Sequence, residues 1–169
     1  MRMVFWTSLG VFLLDQVTKW FVLFVVFGLS WSQLRVPSDN LPYPETVEVF
    51  PPFLVFRMAW NRGINFGLFA GYDLRWVLIG IALTISAGVL IWLWRKGGSF
   101  WVNLAAGFLI GGALGNVIDR VLYGAVADFL NMSCCGISNP YAFNVADISI
   151  FAGAIGLAFL VDDGKKKRG

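Results

Sequence analysis

The sequence contains no histidine among its 169 residues. That absence removes imidazole-bound zinc, Ser-His triads and Cys-His dyads from the available chemistries. Cysteine is nearly absent as well: Cys134 and Cys135 are the only two, and they are adjacent. Neighbouring cysteines bridge only through a strained ring, so the pair reads as plain loop thiols and not as a structural disulfide. Charge is scarce, at 14% of residues, against about 25% in a soluble domain. The net charge of +3 does not mark a nucleic-acid binder, because the basic residues form no face interleaved with stacking aromatics.

Apolar sequence is abundant, at 58% of residues. A helix crossing about 30 Å of hydrocarbon needs about 20 apolar residues. Four stretches qualify: residues 3–29, 74–94, 101–118 and 143–161. Backbone within lipid must satisfy its own hydrogen bonds, so each is expected to be a helix. The first is too long for a cleavable leader, is interrupted by Asp15, Gln16 and Lys19, and lacks an A-x-A site, so it reads as a retained helix. The expected architecture is an α-helical integral membrane protein, residues 1–169 forming a single membrane domain of four transmembrane helices.

Lysine and arginine set the orientation. Arg2 precedes the first helix, Arg95 and Lys96 lie between the second and third, and Lys165, Lys166, Lys167 and Arg168 close the sequence. An even number of spans puts all three groups, and both termini, in the cytoplasm. The long segment 30–73 then lies outside. Within it, residues 53–60 alternate, with Leu54, Phe56, Met58 and Trp60 on one face, as a strand does. Asn61-Arg62-Gly63 reads as a turn. A small sheet at the outer membrane surface is expected, its apolar face lying against headgroups or holding an extended peptide by edge pairing.

Ionisable residues inside a membrane helix cost roughly 2.5 to 3.5 kcal/mol each on insertion scales. Asp15 and Lys19 are one turn apart in the first helix, either an ion pair that neutralises itself or part of a site. Gly107, Gly111 and Gly115 repeat every four residues, the pattern of close helix packing. Gly112, Asn116 and Arg120 form an adjacent stripe, bringing amide and guanidinium donors to the outer helix end. Beyond Gly124, which breaks the third helix, lies Asp128; Asp147 sits about one turn into the fourth, with Asn144 on its face. Two carboxylates together in a poorly solvated site would share a proton and work as acid and base. The residues alone equally allow two separately hydrogen-bonded aspartates.

Four segments read together: Leu14-Asp-Gln-Val-Thr-Lys19, Asn61-Arg-Gly-Ile-Asn-Phe-Gly67, residues 111–129 and Phe143-Asn-Val-Ala-Asp147. In order, spacing and placement the chain resembles the lipoprotein signal peptidase (signal peptidase II) family. The resemblance implies a four-helix membrane fold with a small extracytoplasmic sheet and a surface segment. It implies an aspartyl endopeptidase of the bacterial inner membrane that removes the signal peptide from diacylglyceryl-modified prolipoproteins, cutting before the lipidated cysteine on the periplasmic side. Asp128 and Asp147 match the family's catalytic aspartates. Asp15, Lys19, Asn61, Gly63, Asn116, Arg120 and Asn144 match its supporting or substrate-binding positions. The cyclic peptide globomycin is the implied inhibitor, and no cofactor, metal or nucleic acid is implied. Asn65 departs from the small residue expected there. Asp119 belongs to the motif but not to the catalytic pair, and is expected to hold Arg120 or to be solvated at the interface.

Three other classes compete. A channel or transporter would line a path with Asp15, Lys19, Arg120 and Asp147, but the second helix offers only Arg75, Thr84 and Ser86 as polar residues. A lipid-binding or assembly protein would tolerate loss of either aspartate. Serine-lysine proteolysis would need a serine near Lys19 at site depth, and none is evident.

Overall fold

The structure is a computed structural model that describes residues 1–34, 46–51, 53–63, 74–134 and 139–161. The apolar runs form helices: α1 (Arg2–Trp20), continued by a π-helical turn over Phe21–Val26, the short α2 (Trp31–Leu34), α3 (Arg75–Lys96), α4 (Phe100–Tyr123) and α5 (Val145–Leu160). Among the described residues there are three strands: β1 (Val47–Phe50), β2 (Leu54–Asn61) and β3 (Val126–Asn131). They form one antiparallel sheet in the order β1-β2-β3. Arg2–Val26, Arg75–Lys96 and Phe100–Tyr123 are each long and apolar enough to cross a membrane. α5 is a shorter apolar helix of 16 residues, about 24 Å long at 1.5 Å per residue. Asn65, the C-terminal basic run 165–168 and Cys135 lie outside the described residues.

The chain divides into two compact units. The first comprises Met1–Asp15, Gly80–Val117 and Val145–Gly169. Its core joins Val4, Leu93, Val102, Ala106, Leu109 and Ile110. The glycine stripe does what its spacing implies. A Cβ on Gly107 would stand 2.5 Å from the Thr7 side chain, and one on Gly111 would stand 2.6 Å from the Ser8 carbonyl oxygen. α1 and α4 therefore approach backbone to backbone, and Ser8 Oγ donates to the Gly107 carbonyl at 3.2 Å. Large apolar side chains such as Phe5, Trp6, Ile85, Ile91 and Phe159 are left exposed, a surface matched to acyl chains.

The second unit comprises Gln16–Ile79 and Ile118–Asn144. Met58 and Trp60 of β2 are buried with Val22, Leu23, Phe27, Leu29 and Leu34, and with Ala125, Ala127 and Phe129 around β3. Phe56 meets Phe129 edge-on, centroids 5.7 Å apart. The expected apolar strand face thus exists, but protein side chains cover its Met58 and Trp60, which corrects the assignment of that part of the face to headgroups. Gly124 ends α4 at φ +80, the left-handed conformation that glycine adopts freely.

Several helix boundaries differ from expectation, and two of the differences have a visible cause. α4 runs five residues beyond Ile118, up to the Gly124 stop. α5 starts at Val145, two residues after the expected point, because Phe143 is drawn into pairing with β3. Its N–H donates to the Leu130 carbonyl at 3.0 Å, and its carbonyl accepts from Phe129 and Leu130 at 3.1 and 2.8 Å. Cys134 is disulfide-bonded, which corrects its expected state as a free thiol.

Candidate active site

In the second unit the sheet carries Asp128. It is the third residue of β3, paired in register with Ala59 of β2. It is 3% exposed. Asn61, the last residue of β2, donates from Nδ2 to Asp128 Oδ2 at 3.1 Å. Asn144, fully buried at the entrance to α5, donates from Nδ2 to Asp128 Oδ1 at 2.7 Å. Both carboxylate oxygens are thus held by carboxamides, which orient a carboxylate without bringing a formal charge. Asn61 is itself fixed from the other side: its Oδ1 accepts the Gly63 N–H at 3.3 Å, closing the expected turn.

Ala127, just before Asp128, has no exposed surface. Its N–H donates to Asp119 Oδ2 at 3.2 Å, and its carbonyl oxygen accepts from Asn144 Nδ2 at 3.4 Å. Asp119 is fully buried, with Lys19 Nζ 2.7 Å from Oδ2 and Gln16 Nε2 donating to Oδ1 at 3.3 Å. This corrects the expectation that Asp119 is solvated: a charge inside an apolar helix is tolerated when an opposite charge and hydrogen bonds meet it. Asp119 and Gln16 are the residues that sequence reasoning passed over as site components. One signal was available, since Gln16 and Lys19 are three apart and share a helix face. Arg120, one residue past Asp119, is half-buried in the last turn of α4.

In the first unit α5 carries Asp147 within its first turn. Asn116 of α4 donates from Nδ2 to Asp147 Oδ1 at 2.8 Å. The expected stripe on α4 therefore faces α5 in part: a Cβ on Gly112 would stand 2.5 Å from the Ala146 carbonyl oxygen. Asp15 is fully buried, and its Oδ1 accepts the Ala146 N–H at 2.9 Å. This N–H is one of the first four of α5, which have no partner inside the helix, so Asp15 caps α5 from α1. Gly115 makes room for the cap, because a Cβ there would stand 2.5 Å from Asp15 Oδ2.

Among the described residues no group of three His, Cys, Asp or Glu comes together that could hold a metal ion. The chemistry on offer is that of carboxylates held in position by carboxamides within apolar surroundings.

Fold and site define a helical membrane protein with buried, hydrogen-bonded aspartates near a small sheet. The family described as Signal peptidase (SPase) II matches residues 7–161. A lipoprotein signal peptidase of Methylobacterium radiotolerans is 46% identical over 121 residues, 69% of this chain and 70% of that protein. One from a Methylobacterium species is 39% identical over 153 residues, 89% of this chain and 83% of that protein. One from Pseudomonas aeruginosa is 33% identical over 165 residues, 95% of this chain and 88% of that protein. A solved structure described as a bacterial membrane enzyme superimposes with a TM-score of 0.74 at 25% identity, covering 100% of this chain and 93% of the other. The chain belongs to the signal peptidase II family: it is a membrane protease that removes signal peptides from prolipoproteins.

Proposed function

We propose that the chain is an aspartyl endopeptidase in which Asp128 and Asp147 are the catalytic pair. It cuts diacylglyceryl-modified prolipoproteins just before the lipidated cysteine. The observation that carries this reading is the way Asp128 is held: almost fully buried, with Asn61 and Asn144 on its two oxygens. Asp147 receives the same kind of donor from Asn116. It follows Asn144 by three residues in the sequence, so one short stretch supplies both an amide for Asp128 and the second carboxylate.

In this mechanism the pair carries one proton. The ionised carboxylate takes a proton from water as the water oxygen attacks the scissile carbonyl carbon. The protonated carboxylate gives its proton to the carbonyl oxygen. The tetrahedral diol then collapses: one hydroxyl returns its proton to the pair, the C–N bond breaks, and the leaving amine is protonated by the other carboxyl group. Asn61, Asn116, Asn144 and Gly63 fix the two carboxylates. Asp15, Lys19 and Arg120 serve as supporting residues, Asp15 by capping α5.

The enzyme works in the bacterial inner membrane with both termini cytoplasmic and the site on the periplasmic side. Its partners are the lipidated substrates and membrane lipid, and globomycin blocks it. The lipid chains stay in the bilayer while the peptide reaches the site at the interface. The test is incubation of the purified protein with a diacylglyceryl-modified prolipoprotein and with its unlipidated form, products identified by mass. Release of a signal peptide ending at the residue before the lipidated cysteine is expected from the first substrate only. Cleavage elsewhere, or equal cleavage of both, would sink the assignment.

A further inference from the structure

Asp119 is fully buried beside Lys19, yet the proposed reaction makes no use of it. Both of its oxygens are held. Oδ1 accepts from Gln16 Nε2 at 3.3 Å. Oδ2 lies 2.7 Å from Lys19 Nζ and also accepts the Ala127 N–H at 3.2 Å. The ion pair therefore connects helix α1 to the backbone of β3, one residue before Asp128.

The place of that bond is telling. Ala127 sits opposite Trp60 in register, but its N–H goes to Asp119 and its carbonyl takes Asn144. Among the described residues β3 is the last strand of the sheet, and its outer edge meets Phe143 in a bridge at Leu130. Phe129, two residues on, turns its N–H outward to the Phe143 carbonyl. Side chains and a single bridge thus close the edge that carries Asp128. The contact at Ala127 N–H is made by the Asp119 carboxylate.

We infer that Asp119 is a positioning residue for Asp128, acting through the Ala127 N–H, and that Lys19 and Gln16 hold the Asp119 carboxylate in place for this bond. A fixed peptide at Ala127 sets the height and tilt of the next residue, and with it the direction of the Asp128 carboxylate. A displacement of about 1 Å at a reacting group costs about a hundredfold in rate. The inference rests on Asp128 belonging to the catalytic pair.

A purely structural role for the ion pair makes a different forecast. If Lys19 and Asp119 only neutralise each other, any uncharged pair of similar volume replaces them, since well-packed apolar residues often substitute for a buried ion pair without loss of stability. If Asp119 positions Asp128, the replacement must also keep an acceptor for Ala127 N–H. Two double variants separate the cases. Lys19→Met with Asp119→Leu removes charge and acceptor together. Lys19→Gln with Asp119→Asn removes the charge but keeps an amide oxygen.

The experiment measures kcat and KM on the lipidated substrate for full-length protein in detergent, with thermal unfolding alongside and Asp128→Asn as reference. The Met/Leu pair is expected to show a kcat about tenfold or more below that of the Gln/Asn pair, with KM values within about threefold of each other. If the Met/Leu pair does not fold, the Gln/Asn pair is compared with Lys19→Gln/Asp119→Leu, with the same difference expected. Equal kcat for acceptor-keeping and acceptor-lacking variants, with Asp128→Asn inactive, would overturn the positioning role and leave the aspartate pair standing. Full activity of Asp128→Asn would instead remove the reading on which the inference depends.

Discussion

Asn144 and Asp128 are joined by a 2.7 Å hydrogen bond between Nδ2 and Oδ1, and the same amide nitrogen lies 3.4 Å from the Ala127 carbonyl oxygen. One carboxamide thus grips both the side chain of Asp128 and the peptide bond leading into it. Asn144 directly precedes α5, where a side chain oxygen often caps the helix. Here its amide nitrogen faces β3, and Asp15 meets the Ala146 N–H.

Removing that grip is expected to cost rate more than affinity. Asn144→Ala frees Asp128 Oδ1 and leaves the Ala127 carbonyl without the amide. A fall in kcat of about ten- to a hundredfold is expected, with KM changed by less than about threefold. Steady-state kinetics on the lipidated substrate check this. A rise in KM at constant kcat would assign Asn144 to peptide binding instead.

The cap on α5 predicts a stability effect. Asp15→Ala leaves the buried Ala146 N–H unsatisfied, which costs about 1 to 3 kcal/mol. Gly115→Ala is expected to act on the same bond from the other side, since its methyl would stand 2.5 Å from Asp15 Oδ2. Overpacking of this kind costs about 1 to 3 kcal/mol. Gly10→Ala is the control, because a Cβ there has nothing within 4 Å. Thermal unfolding in detergent should rank Gly10→Ala with the parent and the other two below it. Equal midpoints for all four would show that Asp15 contributes nothing to the α5 terminus.

The fold was legible where one periodicity ran long enough. The spans of α1, α3 and α4 follow from apolar length, and β2 from the alternation of Leu54, Phe56, Met58 and Trp60. β3 escaped because Val126 to Phe129 are all buried, so the strand shows no alternation. β1 has four residues, too few to show a period. The start of α5 was misjudged because Phe143 is apolar and helix-compatible, while its backbone pairs with Leu130. At the site, Asp128 and Asn144 stand out by their placement at the outer helix ends and Asn61 by likeness to a family, but the hydrogen bonds among them are tertiary contacts with no local signature. Lys19 shows the limit most sharply. Its spacing from Asp15 gives no sign of the bond to Asp119, which lies far along the chain.

Inhibitor response offers an independent check on the reaction class. A carboxylate pair needs no metal, hydroxyl nucleophile or thiol. Chelators and serine- or thiol-directed reagents are therefore expected to leave cleavage intact, and globomycin to block it. The rate on lipidated substrate before and after each treatment decides the matter. Loss of activity with a chelator, restored by adding metal back, would refute the aspartyl mechanism.

The aspartates themselves give the sharpest forecast. Asp128→Asn and Asp147→Asn keep the size of each side chain and part of its hydrogen bonding, but an amide can neither take a proton from water nor share one across the pair. Loss of a general acid or base costs typically 10²–10⁴-fold, and two groups acting as one unit are not additive. Each single variant is expected to lose nearly all cleavage, and the double variant to be scarcely worse. Asn61 and Asn144 would still hold the residue at 128, so unfolding midpoints should stay close to the parent and bound substrate should still protect. The same scheme fixes the pH profile. At low pH both carboxyls are protonated and no base remains; at high pH both are ionised and no acid remains. The rate should therefore fall on both sides of a maximum. Cleavage by each variant at matched unfolding midpoint, measured across pH, is the test. Near-normal activity in Asp128→Asn or Asp147→Asn, or a profile with a single limb, would show that the two residues do not work as a proton-sharing pair.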